Sequence, residues 1–129
     1  MKDLILIVDD DPVISKLLWF ILSKKYEVIS KSNGIDAFRW LEEGNFPTLV
    51  ISDMMMPYLD GSNFVKNLKI SGFYRDTPVI VLSGSDNLED MIAKMPFKVD
   101  GFMSKPFNPT ELSTIIDNIL SKNKDHAAS

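Results

Sequence analysis

LILIVDDDP, residues 4–12, carries the information that decides the fold. Leu4–Val8 is an unbroken run of leucine, isoleucine and valine. A strand with one wet face alternates apolar and polar residues. A strand covered on both faces does not, so this run predicts a buried strand of a parallel sheet. Three acids follow without a spacer. Asp11-Pro12 then reads as a helix start, with aspartate at the cap and proline at the first helical position, where its missing N–H costs nothing. A fully buried strand that turns directly into a helix is the opening unit of a sheet layered between helices.

Outward from this stretch the same unit recurs. The first helix carries Ile14, Leu17, Leu18 and Ile21 on one face. Tyr26–Ser30 reads as the second strand. Asn33 caps a helix that carries Ile35, Ala37, Phe38 and Leu41 and stops at Gly44. Thr48–Ser52 is the third strand, with Asp53 at its carboxyl end. After the loop MMMPYLDG, a third helix turns Phe64, Val65 and Leu68 inward and ends near Gly72. Pro78–Leu82 leads to Ser83-Gly84, and a fourth helix holds Leu88, Met91, Ile92 and Met95 before Pro96 limits it. Val99–Met103 is the fifth strand. Asn108-Pro109-x-Glu111 opens a fifth helix, whose Leu112, Ile115, Ile116, Ile119 and Leu120 follow helical spacing. The expected fold is α/β, a single five-stranded parallel sheet of order 2-1-3-4-5 with five helices, flavodoxin-like and doubly wound. The domain is expected over residues 1–122, with a disordered polar tail at 123–129.

Composition narrows the function classes. The chain has 129 residues, 45% hydrophobic and 25% charged, enough for one domain with its own core. It has no cysteine, which excludes disulfides and thiolate metal sites and fits a cytoplasmic setting. The net charge of −4, with no basic run, argues against direct nucleic-acid binding. No apolar run is long enough to span a membrane, and the aspartates flanking the first run argue against a signal peptide.

In an open parallel sheet, ligands sit beyond the carboxyl ends of the strands, at the switch point between strands 1 and 3. The residues expected there are Asp9, Asp10, Asp53, Ser83 and Lys105. Crowded carboxylates repel unless a cation joins them, and a hard divalent ion such as Mg²⁺ favours one or two carboxylates with phosphate and water. Lysine suits a phosphoryl group, and a carboxylate can itself become the nucleophile. Asp11 reads as a helix cap alone. Met54–Met56, without His or Cys nearby, reads as loop packing rather than a soft-metal site. His126 reads as an inert tail residue, and Trp19 and Trp40 as partly packed helix residues.

The motifs LIVDDDP, SNGIDAF, VISDMMMPYLDG, VIVLSG and GFMSKPF, in this order, resemble the receiver domain of two-component response regulators over residues 3 to about 121. The resemblance implies a signalling switch rather than a metabolic enzyme. Asp53 would be the phosphoacceptor and Lys105 the phosphate-binding lysine, followed by a cis Lys105-Pro106 bond. Asp10 would be the direct metal ligand, Asp9 its water-bridged companion, and the Met55 carbonyl would complete a shell around Mg²⁺ or Mn²⁺. Ser83 would be the switch hydroxyl and Phe102 the aromatic that moves with it. Met55 and Ser85 would border the path of the hydrolytic water and tune dephosphorylation. The donor would be a histidine kinase or histidine phosphotransfer protein. The output would be a downstream protein or output domain, reached through the fourth helix, fifth strand and fifth helix, with homodimerisation on phosphorylation left open. Ser83 in place of the commoner threonine, Gly84 where alanine is common, and Phe102 without a tyrosine hydroxyl remove no group that the chemistry needs.

Other classes fit less well. An aspartyl-phosphate phosphatase needs a second acid two residues past its nucleophile, and Met55 stands there. A flavin module needs a hydroxyl- and glycine-rich phosphate loop, which DDDP opposes electrostatically. A degenerate docking domain is at odds with intact Asp10, Asp53, Ser83 and Lys105.

Overall fold

A computed structural model of the chain describes residues 3–54, 61–84, 88–93, 98–105 and 107–128. Five strands and five helices alternate: β1 Leu4–Val8, α1 Pro12–Leu22, β2 Glu27–Lys31, α2 Gly34–Glu42, β3 Leu49–Asp53, α3 Gly61–Ile70, β4 Val79–Ser83, α4 Leu88–Ala93, β5 Gly101–Ser104 and α5 Pro109–Ala128. The sheet has the order β2-β1-β3-β4-β5 with parallel neighbours, as the sequence implies.

The two sides of the sheet explain the unbroken apolar runs. Ile5, Ile7, Leu49, Ile51, Ile80 and Leu82 pack with Leu18 and Leu22 of α1 and with Leu112, Ile116 and Leu120 of α5. The residues between them, Leu6, Val8, Val50, Val79 and Val81, pack with Ala37 and Leu41 of α2 and with Phe64, Val65 and Leu68 of α3. Each fully buried side chain of this size contributes roughly 1.5–3 kcal/mol. A polar residue at either parity would face a helix, so neither face of these strands tolerates alternation.

Caps set the helix ends. Asp11 accepts from Val13 N–H at 2.9 Å and Asn33 from Asp36 N–H at 2.8 Å. Asn108 accepts from the N–H groups of Thr110 and Glu111. Gly44, at φ 101°, follows the end of α2 as the left-handed residue that a side chain would strain.

Several boundaries differ from the sequence reading. Strands β2, β3 and β4 are shifted by one residue, and β5 starts at Gly101 rather than Val99. Asp100 explains the last difference. Its carboxylate accepts from Val79 N–H at 2.8 Å, and its own N–H donates to the Val79 carbonyl at 2.9 Å. This side chain replaces a ladder carbonyl, which periodicity cannot reveal. Gly101 then sits close to α5, where a Cβ would meet Ile115 Cγ2 at 3.2 Å. Helix α5 continues to Ala128, beyond the expected boundary at 122 and through most of the stretch read as a disordered tail. SKNKDHAA contains no proline or glycine to stop it. Trp40 is half-buried on the side of the sheet covered by α2 and α3, but Trp19 is 53% exposed, more open than its sequence context implies. The expectations for Met95 and Pro96 lie outside the described residues. Among the described residues, no helix is long and apolar enough to cross a membrane.

One polar clamp ties α5 to the turn before β2. Tyr26 Oη donates to Asp117 Oδ1 at 2.5 Å, and Lys25 Nζ lies 2.8 Å from the same oxygen. Burial, and then the Asp117 hydrogen bond, push the Tyr26 phenol up to about 12. A folded-state pKa raised above the unfolded value gives stability that is present below about pH 10. That stability is lost as pH rises through 12. Tyr26→Phe should therefore cost about 1 kcal/mol at neutral pH, discounted because Asp117 is half exposed. It should also flatten the stability loss between about pH 10 and 12 in urea titrations. Parallel wild-type and variant profiles in that window would mean that the clamp does not couple to folding.

Candidate functional site

The carboxyl ends of four strands meet on one rim. Asp9 follows β1, Asp53 closes β3, Ser83 closes β4 and Lys105 follows β5. Backbone bonds fix their heights: Asp9 N–H donates to the Lys31 carbonyl at 3.1 Å, Met54 N–H to Leu82 at 3.0 Å, and Lys105 N–H to Ser83 at 2.8 Å. Parallel register therefore brings together residues that lie far apart in the chain.

Lys105 Nζ lies 2.9 Å from Asp9 Oδ2 and 3.4 Å from Asp53 Oδ2. Asp9 is 2% exposed and Asp53 6%, whereas Asp10 is open to solvent. Burial by itself lowers the Lys105 pKa. The hydrogen bond and charge of Asp9, followed by the charge of Asp53, outweigh it and hold the ammonium above the ordinary lysine value. Asp9 Oδ1 accepts from Asp11 N–H at 2.9 Å, so both oxygens of Asp9 have partners. Asp11 itself turns its carboxylate to the α1 cap, as read from sequence.

Ligand oxygens of Asp9, Asp10 and Asp53 all lie within 4.8 Å of one another. One ammonium against three carboxylates leaves a net negative site. Oxygen-only donors, two of them buried and one open, fit a hard divalent ion such as Mg²⁺. Both Asp9 oxygens are engaged, Oδ1 by Asp11 N–H and Oδ2 by Lys105, while Asp10 is the acid of the three that is open to solvent.

Ser83 is fully buried. Val81 pairs with Phe102 and Ser83 with Ser104, so Ser83 and Phe102 lie on the same side of the sheet. Phe102 is 40% exposed. The expectations for Met55, Ser85 and the Lys105-Pro106 bond fall on residues 55, 85 and 106, outside the described residues.

Two features escaped the sequence reading. The first is that Lys105 already pairs with both buried acids. The second is an open groove of about 560 Å³ that starts at Asp10 and runs past Lys16, Lys31, Asp36, Arg39 and Trp40. It forms where α1, β2 and α2 meet, and no local motif marks it.

Known proteins resemble the chain in sequence and in fold. A family model described as the response regulator receiver domain matches residues 5–117. The chain is 34% identical over 120 residues to response regulator Rre1 of Synechocystis, covering 92% of this chain and 52% of that one. It is 32% identical over 130 residues to the alkaline phosphatase synthesis transcriptional regulatory protein PhoP of Bacillus subtilis, covering 100% of this chain and 53% of that protein. The chain thus spans about half the length of these relatives. Among solved structures, the signal receiver domain of a histidine kinase from Syntrophus aciditrophicus superposes with a TM-score of 0.85 at 32% identity, covering 93% of this chain and 91% of that one. A response regulator receiver domain protein from Clostridium thermocellum gives 0.82 at 29% identity, covering 95% and 97%.

Proposed function

The chain belongs to the response regulator receiver-domain family, a family of signalling domains, and on that premise we propose that Asp53 accepts a phosphoryl group from a histidine kinase or histidine phosphotransfer protein. The observation that carries this reading is the Lys105 ammonium lying between the buried carboxylates of Asp9 and Asp53, with the exposed Asp10 beside them. Asp53 is the nucleophile. Its carboxylate oxygen bonds to phosphorus as the donor's P–N bond breaks, and the electron pair returns to the imidazole. Lys105 exchanges its contact with Asp53 for one to a phosphoryl oxygen and keeps its bond to Asp9. Asp9, Asp10 and Asp53, with the Met55 carbonyl, would hold Mg²⁺ or Mn²⁺, which neutralises charge on the transferring group.

Helix α1 supports docking of a donor protein at this rim. Val13, Leu17 and Phe20 are exposed at i, i+4 and i+7, immediately beyond Asp9–Asp11. A cytoplasmic setting goes with such a donor. The output runs through α4, β5 and α5, with Ser83 following a phosphoryl oxygen and Phe102 moving from its half-exposed position. The net charge of −4 favours output by protein contacts, to a downstream protein or an output domain, rather than direct binding of nucleic acid.

The test is Mg²⁺-dependent labelling by acetyl phosphate, read by intact mass, combined with hydrogen exchange. Exchange should change mainly between Ser83 and Phe107 on phosphorylation. Changes confined to α1 and α2 would reject the proposed output surface.

The lifetime of the phosphorylated state gives a further prediction. Hydrolysis needs a water in line with the Asp53–phosphorus bond. Met55 offers no group to orient it, and Ser85 offers one short hydroxyl. Slow self-dephosphorylation is expected, with Met55→Asn decaying several-fold faster, less than the ~10²-fold of full general catalysis. Decay of phospho-Asp53 at an unchanged or lower rate would show that Met55 does not limit the water.

A further inference from the structure

The opposite rim of the sheet carries an aromatic cleft that the phosphorylation chemistry does not use. Phe38 and Leu41 of α2, Gly44 and Phe46 of the α2–β3 loop, and Phe73 and Tyr74 of the α3–β4 loop enclose about 450 Å³. Tyr74 is its fixed wall. Its hydroxyl donates to the Leu41 carbonyl at 2.9 Å and is 3.3 Å from that of Asn45. Its ring lies 5.2 Å from Phe46 and 6.3 Å from Phe73, centroid to centroid. A Cβ on Gly44 would meet nothing within 4 Å, so that side of the cleft is open.

At the cleft Phe46 is 59% exposed and Phe73 78%, and Ile70 at the adjoining end of α3 is 73% exposed. Together they present roughly 400 Å² of apolar surface. That is about half of the roughly 800 Å² that each partner contributes to a standard interface. A protruding ring therefore stands directly beside a recess large enough for a ring. Adjacent knob and recess on one patch is what a two-fold contact needs, because each copy supplies both halves.

Charge points the same way. Glu42 lines the cleft, and its carboxylate, after burial, raises the Tyr74 pKa. Arg75, two residues past the protruding ring, is exposed. Neither Glu42 nor Arg75 has an ion-pair partner among the described residues. An arginine that travels with the knob would meet an acid at the mouth of the recess.

We propose that this rim is a homotypic docking surface, on which Phe73 of each copy enters the Phe46–Tyr74 cleft of the other and Arg75 pairs with Glu42 across the two-fold axis. The contact is independent of phosphorylation and lies at the end of the sheet remote from Asp53. Sedimentation velocity without Mg²⁺ or phosphodonor, from about 10 µM to about 1 mM, reads it directly. Wild type should show a dimer fraction that grows with concentration, and Phe73→Ser should weaken it about tenfold or more. Phe73 is so exposed that its thermal midpoint should not move. Glu42→Arg and Arg75→Glu should each weaken the dimer, and the double exchange should restore it. A chain that stays monomeric at about 1 mM overturns the proposal and leaves the cleft to a different partner. A dimer indifferent to Phe73→Ser, or a double exchange without rescue, overturns it as well.

Discussion

Asp53→Asn should take up no phosphoryl group from acetyl phosphate and Mg²⁺ under conditions that label the wild type to near completion. The amide keeps the size and most hydrogen-bonding capacity of the carboxylate but lacks the anionic oxygen that the proposed attack on phosphorus requires. Asp53 is also 6% exposed and carries the 3.4 Å contact to Lys105, so the substitution removes one of two charges facing a half-buried ammonium. The fold should persist, since Asp9 still pairs with Lys105 at 2.9 Å. Intact mass spectrometry decides the matter, with peptide mapping to locate any label. Labelling of the variant at the wild-type level would place the acceptor on another residue.

Lys105→Met should produce the largest change in stability among single substitutions at the rim. Removing one partner of a buried ion pair costs about 3–5 kcal/mol, because the remaining charge is desolvated and unpaired. Here two carboxylates of low exposure lose their ammonium at once. The metal-free variant should therefore melt about 10 °C below the wild type. Mg²⁺ should reverse the order of response. In the wild type a cation competes with the ammonium that faces Asp9 and Asp53, whereas in the variant that competitor is gone, so the Mg²⁺-induced rise in Tm should be larger in Lys105→Met. Equal Mg²⁺ shifts in the two proteins would show that lysine and cation do not compete for the same oxygens.

What could be read from sequence follows from which forces act locally. The β1, β3 and β4 runs were legible because burial on both faces removes the alternation that would otherwise be seen. Asp9, Asp10, Asp53, Ser83 and Lys105 were legible because parallel strands deliver their carboxyl ends to one rim whatever their separation in the chain. The start of β5 was not, since it depends on the Asp100 carboxylate reaching across to Val79. Nor was the end of α5, where the residues after 122 include neither a breaker nor an apolar period. The aromatic cleft was invisible for a further reason. Phe46 and Phe73 sit in two loops that become neighbours only when α2 and α3 pack on the same side of the sheet.

The bond between Lys105 and Asp9 spans 96 positions of the chain. During synthesis, β1 and β3 emerge well before the edge strand that supplies the lysine, so a nascent chain holds its acids without their counter-charge. Loop closure over such a separation is slow and becomes favourable only once the intervening strands are paired. The Asp53 carboxylate therefore gains its ammonium partner only when β5 docks, so that the proposed phosphotransfer would double as a report that the last strand is in place.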